Sequence, residues 1–298
     1  MPDLSIVILS FNTASLTREC LESLIVPLTK SRLSSEIIIF DNHSDDQSIR
    51  TIKEFQAKQV AKKALKVKLI QSAINLGFTK GNNRAAEAAT GAYFLFLNSD
   101  TVIEKIDFKK LLNFLTARSD IGALTVPVVL EDGQYDPASH RGFPTLWNSV
   151  CYFLKLEAVF GQIPILNRLF GGYHLTYLDK NSIHEIDSPT GAFFLTRSTL
   201  FKKLGGFDER YFMYGEDLDL AYRLKKIGYK TVFYPEGRVR HKKRQSGLAK
   251  EDQLTQSRTK IYFYEAMKTF YQNHYADSHP ALFNAVVYKL IDLKKKLS

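Results

Sequence analysis

The segment YFLFLNSDTV (residues 93–102) is an apolar run that ends in three small polar side chains. Its apolar part predicts a strand buried on both faces, which is typical of a parallel sheet covered by helices. Asn98, Ser99 and Asp100 follow, and the chain is expected to leave regular structure there. Residues of these types form turns and helix caps, but they also line ligand sites beyond the carboxyl ends of strands. The segment by itself leaves both interpretations open.

Strand-like and helix-like patterns alternate in the first part of the chain. The candidate strands are residues 4–11, 35–42, 67–72, 92–98 and 121–130, and helical patterns lie between them. This order predicts an α/β fold with a Rossmann-like mixed, mainly parallel sheet sandwiched by helices. In such a sheet, ligands bind beyond the carboxyl ends of the strands. The polar segments 10–12, 41–46 and 98–100 are therefore expected to lie together, and turn chemistry alone does not account for three of them.

The alternation stops at residues 131–185, which are rich in turns and aromatic side chains. We interpret this segment as an insertion that carries loops of the site. Regular patterns return beyond it, and two amphipathic helices are expected near residues 251–274 and 280–297. The predicted organisation is one domain over residues 1–246, followed by a C-terminal helical extension over residues 247–298.

The composition is that of an ordinary globular protein, with 298 residues of which 45% are hydrophobic and 24% charged. A formal charge of +10 favours anionic partners, namely phosphorylated small molecules, anionic lipid or nucleic acid. The two cysteines have no paired spacing, so neither a disulfide framework nor a thiolate zinc site is predicted, and a reducing cytosol is the expected compartment. No apolar run approaches the ~18–20 residues that span a bilayer. The amino-terminal segment has the pattern of a first strand and lacks the basic lead-in of a signal peptide.

Glycine-rich phosphate loops are absent from the expected positions. The turn after the first candidate strand, SFNTASL (10–16), contains no glycine, and GFTKGN (77–82) lacks the spacing of a P-loop. If a nucleotide binds, a metal ion is expected to hold its phosphates, because Mg²⁺ and Mn²⁺ prefer hard oxygen ligands. Asp100, at the end of a candidate strand, is the obvious ligand.

Three other positions carry candidate chemistry. Asp41 ends a candidate strand and could accept hydrogen bonds from a ribose or a base. Glu216 and Asp217 begin a well-formed helix pattern, where a carboxylate stays ionised near neutral pH and suits a general base. His241 lies in a basic run. A surface histidine is the usual case there, and a metal ligand or diphosphate contact is the alternative if the fold brings His241 beside Asp100.

In order and spacing, these segments resemble the family 2 glycosyltransferases, inverting enzymes of the A-type glycosyltransferase fold. The resemblance is nearest to the bacterial rhamnosyltransferase-like branch that builds surface polysaccharides. The segments that carry it are SIVILSFN (5–12), DNHSDD (41–46), NLGFTKGNN (75–83), FLNSD (96–100), TGAFFLTRS (190–198) and GGFDERYFMYGEDLDL (205–220), followed by His241 and Ser246. The Gln-x-x-Arg-Trp motif of processive polysaccharide synthases is missing, and the only tryptophan, Trp147, lies elsewhere.

The resemblance implies a catalytic domain at residues 1–246, in which Asp217 is the catalytic base and Asp100 binds a Mg²⁺ or Mn²⁺ ion together with His241. Ser99 departs from the family pattern, because other members carry there an acid that touches the ribose. The implied donor-binding residues are Ser10, Asn12, Asp41, Asn75, Gly77, Phe78, Gly81, Asn83, Asn98, Ser99 and Asp100, and the implied acceptor-side residues are Gly191 and Glu216.

The resemblance further implies that one sugar is transferred per encounter. The donor would be a nucleotide-diphosphate sugar, with dTDP-rhamnose favoured over a UDP-hexose. The acceptor would be a hydroxyl of a growing surface polysaccharide or lipid-linked glycan. The expected location is the cytoplasm, at the inner face of the plasma membrane.

The last predicted helix has two interpretations. Its apolar side chains fall on one half of a helical wheel, and most of its lysines lie opposite. The helix is expected either to dock on the catalytic domain or to lie on an anionic membrane surface that presents a lipid-linked acceptor.

Two other classes of function are alternatives at this point. A nucleic-acid-binding protein would account for the charge and for the tyrosine-rich segment 261–275, but the helical spacing of these aromatics favours a core role and no recognised motif is present, so no nucleic-acid partner is expected. A metal-dependent nucleotidyltransferase also places acids at strand ends. It would need a glycine- and lysine-rich loop after the first strand, and SFNTASL does not provide one.

Overall fold

The computed structural model describes residues 2–61, 65–242 and 253–297, with only the backbone of residues 253–257. The strands are β1 (Leu4–Ser10), β2 (Ser35–Asp41), β3 (Lys66–Gln71), β4 (Tyr93–Asn98), β5 (Thr101–Lys105), β6 (Ile121–Thr125), β7 (Val128–Val129), β8 (His184–Ile186), β9 (Phe193–Arg197), β10 (Lys230–Phe233) and β11 (Arg238–His241). The helices are α1 (Ala14–Ser31), α2 (Ser48–Ala61), α3 (Gly77–Glu87), α4 (Phe108–Thr116), α5 (Leu146–Phe153), α6 (Leu156–Phe160), α7 (Leu166–Phe170), α8 (Ser198–Lys203), α9 (Glu216–Lys226), α10 (Gln253–His274) and α11 (Ala281–Leu297).

The main sheet has the strand order β3-β2-β1-β4-β9-β6-β10-β8. The strands β3, β2, β1 and β4 run parallel to one another, and β6 runs parallel to β10. Two strands run the other way, because β9 is antiparallel to both β4 and β6, and β8 is antiparallel to β10. The predicted mixed, mainly parallel sheet is therefore confirmed.

The main sheet separates two apolar layers. Ile6 and Ile8 of β1 pack in the layer that contains α1, α2 and α4, whereas Val7 packs in the layer that contains α3, α8 and α9. Leu95 and Phe96 of β4 alternate in the same way, as successive side chains of a strand must. Because both faces are covered by helices, these strands are continuous apolar runs and not alternating ones.

A second, three-stranded sheet with the order β5-β11-β7 corrects two expectations. The chain leaves regular structure only for a turn at Ser99 and Asp100, because β5 begins at Thr101. His241 is not a surface histidine of a basic run but the buried last residue of β11, which pairs antiparallel with β5 so that His241 lies opposite Thr101. The short sheet thereby brings two distant candidate residues together.

Residues 131–185 contain the short helices α5, α6 and α7, joined by an aromatic cluster. The rings of Phe160 and Phe170 have centroids 4.9 Å apart, and those of Trp147 and Phe170 are 5.9 Å apart. Near its start, the segment reaches the centre of the molecule, since Asp136 is fully buried. The segment predicted as an insertion therefore also supplies interior residues.

The two C-terminal helices lie as expected, at 253–274 and 281–297. Ala266 and Phe270 of α10 pack with Tyr211 and with Leu218 of α9. The predicted boundary at residues 246–247 lies outside the described residues, so the division into domains stays a prediction. None of the helices within the described ranges combines the length and the apolarity that a bilayer crossing requires.

Both cysteines are buried free thiols. Cys20 of α1 lies under the turn between β4 and β5, with its Sγ 3.6 Å from the carbonyl oxygen of Asn98 and 3.7 Å from Oγ1 of Thr101. Burial raises the pKa of the Cys20 thiol to about 12. Cys151 belongs to α5, within the segment predicted as an insertion.

Candidate active site

Three parallel strands end side by side at the predicted edge of the sheet. Ser10 pairs with Asp41 across β1 and β2, and Leu9 pairs with Asn98 across β1 and β4. Oδ1 of the buried Asp41 accepts the N–H of Ser44 at 3.0 Å, whereas Oδ2 of Asp41 and Oδ1 of Asn98 are buried without a hydrogen-bond partner among the described atoms. Burying an acceptor without a donor is costly, so two such atoms at one strand edge indicate a ligand site.

Ser10, Asn12 and Ser99 surround this edge but are held by protein groups. The hydroxyl of Thr13 lies 3.5 Å from that of Ser10 and 3.2 Å from that of Ser99. Asn12 has a left-handed backbone (φ 53°), and its Oδ1 accepts the N–H of Asp45 at 2.9 Å. These three residues order the loops around the strand ends.

The start of α3 connects the strand edge to the loop that precedes α9. Oδ1 of Asn75 accepts from the side chain of Asn42 and from the N–H of Gly77, both at 2.9 Å. Gly77 has a φ of +83°, and a Cβ there would lie 2.7 Å from the carbonyl oxygen of Phe212, so the position requires glycine. The N–H of Phe78 donates to the same carbonyl at 2.8 Å.

Gly81 and Asn83, further along α3, make structural contacts with β1 and with Phe207. A Cβ at Gly81 would overlap the side chain of Leu9, so this glycine allows α3 to approach β1 closely. Asn83 donates from Nδ2 to the carbonyl of Phe207 at 2.9 Å and accepts the N–H of Phe207 at 3.0 Å. The structure therefore gives these two predicted donor-binding residues packing and bridging roles.

The carboxylate of Asp100 faces His241 across the β5–β11 pair. Nε2 of His241 lies 3.2 Å from Oδ1 of Asp100, and Nδ1 of His241 lies 2.8 Å from Oδ2 of Asp136. All three residues are buried. Burial opposes protonation of His241, but hydrogen bonds and charges from Asp100 and Asp136 outweigh it and raise the pKa of His241 to about 9. The condition set by the sequence, that the fold bring His241 beside Asp100, is met.

Asp100 and His241 fit a divalent cation as a partial set of ligands. Asp136 pairs with Nδ1 of His241 and so directs Nε2 toward Asp100, and a carboxylate orients a metal-binding histidine in the same way. In the parts of the chain that the structure describes, no group of three or more His, Cys, Asp or Glu side chains is arranged to hold a metal ion by itself. A cation at Asp100 would thus take its other ligands from substrate phosphates and water, as Mg²⁺ commonly does. Ser246, which the resemblance joins to His241, lies outside the described residues.

Asp217 is held by a buried ion pair at the start of α9. Nη2 of Arg141 donates to Oδ2 of Asp217 and to the carbonyl of Pro189, both at 2.8 Å. The N–H of Gly191 donates to the same Oδ2 at 3.1 Å, and the N–H of Leu218 donates to Oδ1 at 2.7 Å. These hydrogen bonds, of which the one from Arg141 is charge-assisted, fix the orientation of the Asp217 carboxylate.

Glu216 has a different environment from its neighbour. It is only 5% exposed, and its Oε2 is buried without a hydrogen-bond partner among the described atoms. Burial, followed by the charge of Asp217, raises the pKa of Glu216 to about 8. A Cβ at Gly191 would lie 3.5 Å from the ring of Phe78 and 3.8 Å from Oε1 of Glu216, which places both predicted acceptor-side residues beside the start of α3. A buried carboxyl group whose pKa is raised toward neutral pH is typical of acid–base sites.

The phenol of Tyr214 is influenced by acids from both parts of the site. Burial raises the pKa of its phenol to about 12, and the charges of Glu216 and Asp100 contribute in the same direction. Tyr214 also has a left-handed backbone (φ 70°), which is an uncommon and strained state for an aromatic residue. The charges of Glu216 and Asp100 therefore both act on the Tyr214 phenol.

Two residues of the candidate site are not predicted from the sequence. Asp136 and Arg141 both lie in EDGQYDPASHR (131–141), a segment whose composition is typical of turns. Asp136 also accepts the N–H of Ala138 at 3.0 Å, as a turn-forming aspartate would. Nothing local distinguishes these two residues, because their partners His241 and Asp217 lie far away in the sequence.

Replacing Arg141 with methionine should lower the free energy of unfolding by about 3–5 kcal/mol, because it leaves the buried Asp217 carboxylate without its counterion. Urea denaturation measures the loss. Arg50→Met is the matched control, since the Arg50–Glu54 pair is exposed and should contribute at most about 1 kcal/mol. Adding Asp217→Asn to Arg141→Met should recover part of the stability; a double variant less stable than Arg141→Met would contradict the ion-pair account.

Glu216 makes stability depend on pH in a predictable direction. Its native pKa of about 8 lies above the ordinary value of 4.5, so the native state binds more protons than the unfolded state between these values, and this group's contribution to stability is lost as pH rises from about 4.5 to about 8. Glu216→Gln should therefore raise Tm by roughly 3 °C or more at pH 8.5–9 and have little effect near pH 4.5. Differential scanning fluorimetry across this range tests the sign. A Tm gain confined to acid pH would refute the assignment.

Comparison with known proteins agrees with this geometry. Residues 2–259 match the family model described as "Glycosyltransferase like family 2". An N-acetylglucosaminyl-diphospho-decaprenol L-rhamnosyltransferase of Mycobacterium tuberculosis is 29% identical over 191 residues, which are 60% of this chain and 60% of that protein. The rhamnosyltransferase WbbL of Escherichia coli is 27% identical over 169 residues, covering 53% of this chain and 58% of WbbL. The matched regions thus span about 60% of the length of these relatives.

Solved structures identify the fold. TarS 1–349 of S. aureus, in complex with UDP-GlcNAc, superposes with a TM-score of 0.58 at 19% identity and covers 90% of this chain and 65% of that one. The mannosyltransferase PcManGT of Pyrobaculum calidifontis, in complex with GDP-Man and Mn²⁺, gives a TM-score of 0.57 at 15% identity and covers 99% of this chain and 70% of that one. The fold is the A-type glycosyltransferase fold, as the sequence predicts. Since the family model matches most of the chain, this protein belongs to the family 2 glycosyltransferases.

Proposed function

We propose that this glycosyltransferase moves one sugar from a nucleotide-diphosphate sugar to a hydroxyl of a growing surface polysaccharide or lipid-linked glycan, with inversion at the anomeric carbon. The observation that carries the proposal is the edge where β1, β2 and β4 end. There the unpartnered acceptor of Asn98 ends β4, the strand that leads into Asp100, and that of Asp41 ends β2, on the other side of β1. dTDP-rhamnose is the proposed donor, supported by the rhamnosyltransferase relatives. The proposed location is the cytoplasmic face of the plasma membrane.

The donor half of the site would use the strand edge and the Asp100–His241 pair. The Asp41 carboxylate would accept hydrogen bonds from the base or ribose. Asp100 and Nε2 of His241 would hold a Mg²⁺ or Mn²⁺ ion, with Asp136 fixing the orientation of His241. When bound, such an ion neutralises charge on the departing nucleoside diphosphate. PcManGT, a structural neighbour, was solved with GDP-Man and Mn²⁺, which supports this use of metal.

The acceptor half would use the Glu216–Asp217 pair. Asp217 is the proposed base: the donors from Arg141 and Gly191 hold one carboxylate oxygen, and Oδ1, bonded only to the N–H of Leu218, keeps lone-pair capacity for the acceptor hydroxyl proton. Glu216, protonated near neutral pH, would donate a hydrogen bond to a substrate oxygen through the carboxyl oxygen that has no partner here. The buried position of both groups excludes water and strengthens their interactions with substrate.

Asp217→Asn should lower kcat by ~10²–10⁴-fold, the usual contribution of a general base, and leave donor affinity nearly unchanged. Steady-state transfer assays together with isothermal titration of the donor measure both quantities. Glu216→Gln is the matched control, because an amide can still donate a hydrogen bond; its loss in kcat should stay within about tenfold. If Glu216→Gln were the inactive variant and Asp217→Asn the active one, Glu216 would be the base.

A thermal-shift panel of nucleotide sugars, with and without Mn²⁺, tests the donor assignment. The largest rise in Tm is expected with dTDP-rhamnose and Mn²⁺ together, since a ligand that binds only the native state stabilises it by mass action. Asp100→Ala should remove the Mn²⁺-dependent part of this rise, whereas Asp120→Ala, an exposed control, should retain it. Equal responses of the wild type and Asp100→Ala would contradict the proposed metal site, and a larger response to another nucleotide sugar would replace dTDP-rhamnose as the donor.

Neither alternative function gains support. Membership of a glycosyltransferase family counts against a nucleic-acid-binding protein and against a nucleotidyltransferase. The tyrosine-rich segment 261–275 lies mainly in α10, where Tyr264, Phe270 and Tyr271 are buried and so cannot stack on bases.

A further inference from the structure

The last helix, α11, contacts α10 through its polar side. Lys295 of α11 pairs with Glu265 of α10 at 2.7 Å, and Lys268 of α10 pairs with Asp292 of α11 at 2.5 Å. The hydroxyl of Tyr271 donates to Oδ1 of Asn284 at 2.7 Å. A helix that simply docked on a domain would be expected to turn its apolar side inward.

The opposite side of α11 is an exposed apolar stripe. We use this name for Leu282, Phe283, Val286, Leu290, Leu293 and Leu297, which are between 41% and 80% exposed. At about 100° per residue, their positions fall within an arc of roughly 100° on the helix surface. Of the aliphatic side chains of α11, only Ile291 is buried. The amphipathic helix α11 therefore turns its polar side to the protein and its apolar side outward, the reverse of a docked helix.

Exposed lysines border the stripe on both sides. On the same helical wheel, Lys289 and Lys296 follow one edge of the stripe and Lys294 follows the other. A stripe of large apolar side chains between rows of lysines is the pattern of a helix that lies in a membrane interface, with its apolar side among acyl chains and its lysines at the headgroups.

The segment containing α5, α6 and α7 lies beside this helix. Nζ of Lys294 is 5.7 Å from the ring centroid of Phe153 at the end of α5. Four aliphatic residues of this segment are strongly exposed, namely Leu154, Val159, Ile165 and Leu169. Several large exposed apolar residues on adjoining elements are typical of an interaction surface, whereas single exposed apolar residues are common.

We propose that the apolar stripe of α11, extended by the neighbouring exposed residues of α5–α7, binds the surface of an anionic lipid bilayer. A bilayer fits better than a second copy of the chain, because pairing two stripes would bring their lysine borders together in a protein that already carries a net charge of +10. The surface deepens the proposed function: a lipid-linked acceptor would be presented at it.

Sedimentation of the full chain with vesicles tests the proposal. The protein should bind vesicles of phosphatidylcholine mixed with phosphatidylglycerol more tightly than vesicles of phosphatidylcholine alone. Leu290→Gln with Leu293→Gln should lower the partition coefficient by at least about tenfold, because burying each leucine contributes a large share of the apolar binding free energy. Lys289→Gln with Lys296→Gln should lower it by about 30-fold on the anionic vesicles only.

The matched control is Val26→Gln with Val60→Gln, two exposed apolar residues on α1 and α2 that should leave partitioning unchanged. The proposal is overturned if the full chain binds neither kind of vesicle, or if the Leu290/Leu293 variant binds as well as the wild type. Light scattering of wild type and variant provides a second measurement. A wild-type dimer that this variant converts to a monomer would make the stripe an interface between copies of the chain, and the lipid assignment would be wrong.

Failure of this inference and failure of the proposed function are distinguishable. The Leu290/Leu293 variant should transfer sugar to a water-soluble acceptor at the wild-type rate, because no site residue is changed. Vesicle binding without any sugar transfer by the wild type would leave the lipid-binding surface standing and remove the proposed function. Sugar transfer without vesicle binding would leave the proposed function standing and remove the lipid-binding surface.

Discussion

The antiparallel pairing of β5 with β11 is the constraint on which the site depends. It sets Thr101 opposite His241, and the N–H of Lys242 donates to the carbonyl of Asp100 at 2.8 Å, so the turn after β4 is fixed from both sides. Only because of this register does an imidazole face the Asp100 carboxylate. The main sheet alone would place Asp100 at a strand edge with nothing opposite it. A small second sheet thus sets an imidazole against the carboxylate of this turn.

The proposed acceptor half of the site depends on buried charged groups. Two neighbouring carboxyl groups, Glu216 and Asp217, begin α9 in a region that is nearly closed to solvent, and they share a single buried cation, Arg141. The cation pairs directly with Asp217, whereas burial, followed by the charge of Asp217, raises the pKa of Glu216 to about 8. Tyr214, two residues before Glu216, has a strained left-handed backbone, and such strain is concentrated at functional sites.

Much of the main sheet could be predicted from the sequence, and the second sheet could not. Strands such as β1, β2 and β4 are continuous apolar runs, because helices cover both of their faces, and such runs are recognisable locally. The strands β5 and β11 are short and carry charges that pair across the sheet, with Glu104 bonded to Arg238 and Arg240. A signal was nonetheless present in β11. RVRH alternates exposed and buried residues, with Val239 and His241 inside, which is the period of a half-exposed strand and not of a solvated basic run.

The candidate site, like the fold, has one part that the sequence predicts and one part that it does not. Positions at strand ends and helix starts, such as Asp41, Asn98 and Glu216, are accessible to sequence reasoning because local patterns mark those ends. Asp136 and Arg141 act only through partners that the tertiary fold supplies, and no local pattern encodes such contacts. Gly81 and Asn83, which motif resemblance assigns to the donor, also make structural contacts: Gly81 allows α3 to approach β1, and Asn83 bridges to Phe207. Their role in donor binding stays a prediction.

The two buried cysteines can report on local opening of the folded chain through their reaction with thiol reagents. Cys20 lies beneath the turn that carries Asp100, and Cys151 lies in a short helix of a different region, so thiol-reactive reagents can reach either one only when that region opens. Because the chain has just these two thiols, their modification rates separate local fluctuation around α5 from opening of the central layer. The opening of these two regions can therefore be followed separately with the native cysteines, without introducing a label site.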